Sequence, residues 1–345
     1  MTKEVTIGKI TIGGGNKIAV QSMTNTRTAD IEKTAEQMRR LEKEGCDIIR
    51  VAVLDLSDAQ AIKELKKHTS MPIVADIHFD HKLALAAMEY GADKIRINPG
   101  NIANEGFLRQ IISKAKEKNV CIRIGVNGGS LNKLSEEKYG RGVDALVDSA
   151  LRNVEFFEKE GFFNLVISIK SSSVLKTVEA NRILSSKTNY PLHIGVTESG
   201  SGQIALTKSA VGIGSLLLDG IGDTIRVSLT DDPVEEVKFA KTLLRAIEKD
   251  KNFCEVVSCP SCGRCCFDLI GTAKQVSDYV KDISKPLKIA VMGCVVNGPG
   301  EAREADLGLA GGKGKVVFFK KGEVFSTVEE KDALQKFKEE IDKLR

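Results

Sequence analysis

The 345-residue sequence contains no tryptophan, only 4 tyrosines and 4 histidines, and no long apolar run. Single-stranded nucleic acids bind largely by stacking bases on aromatic side chains. The charge balance of 51 Lys and Arg against 47 Asp and Glu also provides no concentrated basic surface, so we expect no nucleic-acid partner. The chain lacks the roughly 20 consecutive apolar residues of a membrane span, and Lys3, Glu4 and Lys9 stand where a signal peptide would be apolar. These features predict a cytoplasmic protein without a membrane partner.

The rest of the composition favours a well-packed chain. Hydrophobic residues make up 42% of the sequence and charged residues 28%, which is typical of globular proteins and not of disordered ones. Because 345 residues exceed one ordinary domain, we expect two hydrophobic cores.

Short runs rich in β-branched residues recur through the first two-thirds of the chain, separated by segments with helical periodicity. The runs span Ile18–Met23, Ile48–Val53, Ile73–Ile77, Lys94–Asn98, Cys121–Val126, Leu165–Ile169, His193–Thr197 and Thr224–Leu229. Alternation of this kind predicts an α/β fold of the TIM type, a parallel (β/α)₈ barrel. Two three-residue runs before it, Val5–Ile7 and Ile10–Ile12, predict a small hairpin at the barrel floor.

The alternation stops after about residue 248, which predicts a barrel domain over residues 1–250 and a second domain over residues 251–345. The second segment contains a predicted helix near Lys274–Ile283 and predicted strands at Leu287–Met292, Lys315–Phe319 and Glu323–Thr327. This order predicts a small α+β domain.

Charged residues alternate with apolar ones along the predicted barrel strands. Since successive strand residues face opposite sides of a sheet, the apolar residues identify the helix-facing side and the others face the barrel axis. This parity directs inward the cations Arg50, Lys94, Arg96, Arg123, Lys170 and Arg226, together with Asp76, His78, Asn98, Asn127, Ser168, Thr224 and Ser228.

So many inward cations need an explanation, because an unpaired buried charge costs several kcal/mol. A bound polyanion such as a diphosphate provides one, held at the C-terminal ends of the strands where TIM-barrel sites lie. The alternative is that some of these cations extend past the strand ends or pair with acids on loops. Glu198 follows the seventh predicted strand and reaches inward only if that strand ends near Thr197, because its parity matches the outward-facing Ile194 and Val196.

Six of the eight cysteines lie between residues 254 and 294, which in a cytoplasmic chain favours metal or redox chemistry over disulfides. Cys259 and Cys262 have a C-x₂-C spacing, and Cys294 follows later. A zinc site is the weaker interpretation because Cys294 has no partner cysteine nearby and the last histidine is His193. An iron–sulfur cluster is favoured, although the spacing leaves the cluster type open.

Taken together, the motifs resemble those of the 4-hydroxy-3-methylbut-2-enyl diphosphate synthase family over essentially the whole chain. The motifs that carry the resemblance are Gln21–Thr26, Arg50–Ala52, Ala75–His78, Arg96–Asn101, Arg123–Asn127, Thr197–Gly200, Ser258–Arg264 and Gly293–Ala302. The last two, taken together, are the most specific. Cys265 and Cys266 depart from the usual pattern, so a different or exchanging ligand at Cys265 stays open.

The resemblance implies a [4Fe–4S] cluster held by Cys259, Cys262, Cys294 and Glu301. It implies as substrate 2-C-methyl-D-erythritol 2,4-cyclodiphosphate, reduced with two electrons from flavodoxin or ferredoxin, in a cytoplasmic homodimer of the non-mevalonate isoprenoid pathway. The expected substrate-binding residues are Arg50, Arg96, Asn98, Arg123, Asn127, Lys170, Arg226 and Ser228. Glu198 is the expected proton donor, and Glu301 is expected to be displaced from its iron by substrate oxygen.

Two alternative functions remain at this point. One is a non-redox barrel transferase similar to dihydropteroate synthase with a zinc-stabilised tail. The other is an electron-carrier or interaction module without its own substrate, which the inward cations disfavour. A radical S-adenosylmethionine enzyme is disfavoured because the chain has no C-x₃-C-x₂-C motif.

Overall fold

The fold is taken from a computed structural model that describes residues 1–102, 104–129, 131–295 and 298–345, with only the backbone of Pro299 and Glu301. The chain divides into two compact units, Met1–Ile247 and Glu248–Arg345. Among the described residues, no helix combines the length and apolar character that crossing a membrane requires.

The first unit contains an eight-stranded parallel sheet with helices between its strands, which confirms the predicted barrel. After the hairpin strands β1 (Val5–Ile7) and β2 (Ile10–Ile12), the barrel strands β3 to β10 span Ala19–Met23, Ile48–Ala52, Ile73–Asp76, Lys94–Ile97, Cys121–Asn127, Leu165–Lys170, His193–Ile194 and Thr224–Ile225. Helices α1 to α9 span Ile31–Lys43, Leu56–Leu65, His81–Glu89, Glu105–Lys118, Lys133–Tyr139, Val143–Lys159, Val174–Lys187, Gly202–Leu218 and Pro233–Ala246.

The barrel strands are ordered β8-β7-β6-β5-β4-β3-β10-β9, and an isolated parallel bridge between Ile167 and Leu192 joins the two ends. Side chains of the β1–β2 hairpin pack against the inward residues at the strand starts, including Ile48, Val74 and Cys121. The hairpin therefore fills the barrel floor, as predicted, and the opposite end of the barrel stays open for a site.

The second unit is a five-stranded mixed sheet with helices. Its strands β11 to β15 span Cys254–Ser258, Leu287–Met292, Leu307–Gly311, Lys315–Lys320 and Glu323–Glu329, in sequential order across the sheet. Helices α10, α11 and α12 span Leu269–Val280, Gly298–Glu301 and Glu330–Asp342. The strands β11, β12 and β13 run parallel, and β14 and β15 are antiparallel additions.

Several predicted boundaries were wrong. Strands β9 and β10 are only two residues long and end at Ile194 and Ile225, earlier than predicted. Strands β11 and β13 were not predicted, and for β13 the reason is that glycine is unfavourable in strands. Here glycine is needed, since a Cβ on Gly308 would lie 2.2 Å from the Phe319 ring.

Candidate functional site

A cavity of about 340 Å³ opens at the C-terminal ends of the barrel strands. It is lined by Met23, Arg50, Asp76, His78, Arg96, Arg123, Gly125, Val126, Asn127, Ser168, Lys170, Thr197, Arg226 and Ser228. The lining thus includes seven of the eight residues expected to bind substrate: Arg50, Arg96, Arg123, Asn127, Lys170, Arg226 and Ser228.

The cations of this cavity lie close enough to repel one another. The pKa of Arg50 is lowered to about 10, chiefly by burial; Asp76 opposes the shift, and the neighbouring Arg226 and Arg96 contribute to it. Burial also lowers the pKa of Arg123 and of Lys170 well below their ordinary values, with repulsion by other cations of the same group as the second cause. The cavity therefore has an excess of positive charge, which an anionic ligand would relieve.

Asp76, at the end of strand β5, is the acid that faces this cluster. Burial alone would raise its pKa, but the charges of Arg50 and Arg96 and a contact with His78 lower it below the ordinary value. Arg96 Nη1 donates to Asp76 Oδ1 at 3.1 Å, and His78 Nε2 lies 3.3 Å from Oδ2. Arg50 Nε lies 3.8 Å from the same Oδ2. Asp76 therefore stays ionised and fixes the position of Arg96.

The backbone directly after strand β9 leaves room for Lys170. A Cβ on Gly195 would lie 2.4 Å from the carbonyl oxygen of Arg226 and 2.8 Å from Lys170 Nζ. Only glycine allows Lys170 to lie this close to the strand, so the position of its ammonium group depends on Gly195.

Two of the site residues expected in the barrel lie outside the cavity lining. Asn98 is buried and its Oδ1 accepts a hydrogen bond from the backbone N–H of Gly100 at 3.2 Å, which caps the short 3₁₀ turn after β6. Glu198 is exposed and has a left-handed backbone, with φ of 52°. Strand β9 ends four residues before it, so strand parity does not determine its direction.

Lys94 is inward-facing but does not line the cavity. It begins strand β6, pairs in register with Val74 and Cys121, and is fully buried. Its Nζ has no hydrogen-bond partner in the described part of the chain, and burial lowers its pKa to about 7. An anion bound in the cavity would therefore not account for Lys94.

Sequence reasoning missed two residues beside the cations. Met23 ends strand β3 and lines the cavity, and its Sδ accepts a hydrogen bond from Arg50 Nε at 3.0 Å. Glu236, on helix α9, is buried and bonded to Arg226. A strand pattern could reveal Met23, whose parity is inward, whereas only helical periodicity could reveal Glu236.

Three cysteines of the second unit line one cavity of about 150 Å³. Its lining comprises Cys259, Pro260, Cys262, Arg264, Met292, Cys294 and Gly298. The three thiols are free of disulfides, and the N–H of Gly293 donates to Cys259 Sγ at 3.2 Å. No three His, Cys, Asp or Glu side chains within the described ranges lie close enough to hold a single metal ion.

The other cysteines have different surroundings. Cys265 Sγ donates to the carbonyl oxygen of Phe267 and Cys266 Sγ to that of Arg264, both at 3.2 Å, and neither lines the small cavity. Burial raises the pKa of Cys254 to about 11.

The donor set of Cys259, Cys262 and Cys294 therefore fits an iron–sulfur cluster, which binds thiolates. The side chain of Glu301, expected as the fourth ligand, lies outside the described residues, as does Asn297.

The sequence matches two family models, the GcpE TIM-barrel domain over residues 2–241 and the GcpE protein C-terminal domain over residues 255–343. A relative from Caldanaerobacter subterraneus subsp. tengcongensis is 55% identical over 100% of this chain and 97% of its own length, and one from Fusobacterium nucleatum is 52% identical over 99% and 96%. Both are named 4-hydroxy-3-methylbut-2-en-1-yl diphosphate synthase (flavodoxin).

Two solved structures resemble part of this chain. The 7,8-dihydropteroate synthase of Vibrio fischeri matches with a TM-score of 0.52 at 12% identity, covering 71% of this chain and 98% of that one. A Plasmodium falciparum HPPK-DHPS structure matches with a TM-score of 0.54 at 14% identity, covering 72% of this chain and 50% of that one. At these identities the likeness shows the barrel fold alone.

Proposed function

This chain belongs to the GcpE family, and on that premise we propose that it converts 2-C-methyl-D-erythritol 2,4-cyclodiphosphate to 4-hydroxy-3-methylbut-2-enyl diphosphate in isoprenoid biosynthesis. The reaction opens the ring at a C–O bond to phosphate, removes a hydroxyl group as water, and consumes two electrons and protons. The observation that carries the proposal is the barrel cavity, in which five cations face one carboxylate.

The cavity suits a cyclic diphosphate because its charges complement those of the ligand. Arginine can bind phosphate oxygens through two parallel N–H donors, whereas the lysine ammonium acts as a compact point charge. The proposed contacts come from Arg50, Arg96, Arg123, Asn127, Lys170, Arg226 and Ser228. Asn98 belongs to this set only indirectly, since its amide oxygen is committed to the turn that follows Arg96.

Bound diphosphate would also stabilise the charged forms of these residues. Lys170 has a lowered pKa because it is buried beside Arg123 and Arg226, and an adjacent anion favours the protonated amine. The ring opening leaves a diphosphate group with increased negative charge, and fixed cations stabilise such charge without reorganising. Lys170 and its arginine neighbours therefore bind the substrate and stabilise the charge that develops during ring opening.

In the second unit, we propose that Cys259, Cys262 and Cys294 hold a [4Fe–4S] cluster, with Glu301 as the fourth ligand. When bound, the cluster supplies electrons one at a time to the reaction. A carboxylate is a harder ligand than a thiolate, so Glu301 would be the most easily exchanged of the four ligands. Cys265 is not proposed as a ligand, because its thiol is bonded to a backbone carbonyl outside the small cavity.

Glu198 is the proposed proton donor. Its left-handed backbone is uncommon for a residue other than glycine, and such conformations cluster at functional sites. The turn is held by Ser199 Oγ, which donates to the carbonyl oxygen of Val196 at 3.3 Å. Because the Glu198 side chain is exposed, the role requires it to turn toward the cavity when substrate binds.

The proposed electron donor is flavodoxin, with ferredoxin as the alternative, and the names of the relatives support the first. A cytoplasmic location and a homodimer complete the proposal, and both rest on the family resemblance. The dihydropteroate synthase-like function is not favoured, because the family models match both units of the chain.

The test is to purify the full chain anaerobically, measure iron and sulfide, and supply the cyclodiphosphate with reduced flavodoxin. We expect about four irons and four sulfides per chain and formation of the hydroxymethylbutenyl diphosphate, detected by ³¹P NMR. The Lys170→Met variant should keep its iron and lose substrate affinity. Full turnover by a cluster-free preparation, or a loaded enzyme that leaves the cyclodiphosphate unchanged, would overturn the proposal.

A further inference from the structure

We propose that Glu236 is a positioning residue that holds Arg226 in the orientation needed to bind the substrate diphosphate. The inference rests on the proposed function, because it assigns Arg226 to substrate binding. Glu236 lies on helix α9, outside the barrel wall, and is 3% exposed. It does not line the cavity, so any effect on the substrate must act through another residue.

The carboxylate of Glu236 accepts hydrogen bonds from strand β3 and from the segment that follows strand β10. Arg226 Nε donates to Oε2 at 3.3 Å and Arg226 Nη2 donates to Oε1 at 3.2 Å, which is the paired geometry that fixes a guanidinium plane. Ser22 Oγ donates to Oε2 at 3.0 Å, and the N–H of Leu229 donates to Oε1 at 3.1 Å. Both oxygens thus accept two hydrogen bonds each.

These bonds join the barrel where its backbone pairing has ended. Strands β3 and β10 pair only at Ala19–Thr224 and Val20–Ile225, so Ser22 and Arg226 lie beyond the last paired residues. Glu236 connects the two chain segments across this gap. A carboxylate is required there because all of its neighbours are donors, and an apolar or amide side chain would leave at least one of them unsatisfied.

The consequence for the cavity is that only the Nε–Nη2 edge of the Arg226 guanidinium is bonded to Glu236. The remaining Nη1 lies 3.9 Å from Met23 Sδ, a weak acceptor, and Met23 also accepts from Arg50. Arg226 therefore presents its outer edge to the cavity beside Arg50, without needing to be reoriented when an anion binds. Preorganised donors of this kind improve affinity because little ordering remains to be done.

Glu236→Gln separates this role from a purely electrostatic one. In the variant one carboxylate oxygen becomes an NH₂ donor. That donor can face Ser22, whose hydroxyl can turn and accept, but it then loses the contact with Arg226 Nε. Losing one carboxylate charge makes the cavity more positive, which by itself would tighten anion binding. Positioning predicts the opposite sign, a loss of substrate affinity of about tenfold.

The experiment measures substrate Kd and steady-state constants for cluster-loaded wild type, Glu236→Gln and Glu236→Asp. Glu236→Asp keeps the charge and shortens the reach, so it should weaken binding too and provides the test if the glutamine variant does not fold. The matched control is Glu235→Gln, which removes the same charge one residue away, where the carboxylate is exposed and bonded to Lys238. We expect KM to rise in the Glu236 variants with kcat within about twofold of wild type.

A double-mutant cycle distinguishes positioning of Arg226 from a merely structural role, because only positioning couples the effects of the two substitutions on substrate Kd. If Glu236 acts through Arg226, adding Glu236→Gln to Arg226→Met should change substrate Kd no further, whereas independent effects would add. Additive effects of the two substitutions on substrate Kd would overturn the inference. So would substrate binding that is unchanged or tighter in Glu236→Gln together with unchanged binding in Glu236→Asp. A wild-type enzyme that does not bind the cyclodiphosphate at all would instead overturn the proposed function.

Discussion

Replacing Lys94 with methionine should stabilise the protein, and the gain should depend on pH. Lys94 lies at the barrel floor between Val74 and Cys121 in register, with no partner for its Nζ among the residues described. Burial lowers its pKa from 10.5 to about 7. The amine must therefore lose its proton on folding at any pH between these values, and methionine, similar in length and apolar, has no such requirement.

The magnitude follows from the pKa difference. One pKa unit corresponds to about 1.4 kcal/mol, so the penalty is about 3 kcal/mol at pH 8 and about 5 kcal/mol well below pH 7. The unfolded chain binds the additional proton between pH 7 and 10.5, so wild-type stability rises with pH across this window. The advantage of Lys94→Met should consequently be largest at pH 7 and below, and disappear toward pH 10.5.

The assay is differential scanning calorimetry of the full chain at several pH values from 7 to 10. At pH 8 we expect a rise in Tm of about 5–10 °C for the barrel transition. Lys63→Met, at an exposed position on helix α2, is the control and should show no such trend. If Lys94→Met lowers Tm, or its gain does not shrink as pH rises, the amine has a buried anionic partner and the reasoning is refuted.

Four further outcomes test the two sites. Cys294→Ser should lose cluster iron and the visible absorbance together, whereas Cys266→Ser should keep both, as measured by iron analysis and spectroscopy. Lys170→Met should raise substrate KM at least tenfold, by removing a charge-assisted contact, with unchanged iron content. Glu198→Gln should lower kcat by roughly a hundredfold or more while Kd, measured by calorimetry, stays constant. Gly195→Ala should lower Tm, because its Cβ would lie 2.4 Å from the Arg226 carbonyl oxygen, and should weaken substrate binding, because the same Cβ would lie 2.8 Å from Lys170 Nζ. Wild-type Tm and substrate affinity in Gly195→Ala would contradict these contacts.

The barrel and most of its cavity were predictable because strand geometry has a period of two. Inward and outward residues can be separated in a five-residue run without knowledge of its partners, and Arg50, Arg123 and Lys170 were identified in this way. Beyond the last hydrogen-bonded residue of a strand, the alternation no longer indicates which way a side chain points. Glu198 lies four residues past β9, and its direction is set by a turn whose left-handed residue cannot be read from alternation.

Glu236 shows why residues that support the cations were harder to find. In the sequence it follows Glu235, and the two carboxylates look equivalent. Helical periodicity distinguishes them, because Glu236 falls on the same face as Ala240 and Leu243 at spacings of four and seven residues, both buried. A buried acid at such a position indicates a buried cation as partner, but the identity of that cation depends on which strand the helix packs against.

Lys94 and Arg96 show that inward direction alone does not assign a function. Both face the barrel axis from strand β6, separated by two residues, or about 7 Å along a strand. Lys94 pairs in register with Val74 and Cys121 in the dry floor, whereas Arg96 pairs with Asp76 and Arg123 at the cavity. At one level burial therefore lowers the pKa of the lysine, whereas at the next level the arginine lines a cavity that can receive an anion. Because register depends on which residues of neighbouring strands align, a single-strand pattern could predict that these cations point inward but not the depth at which each one lies.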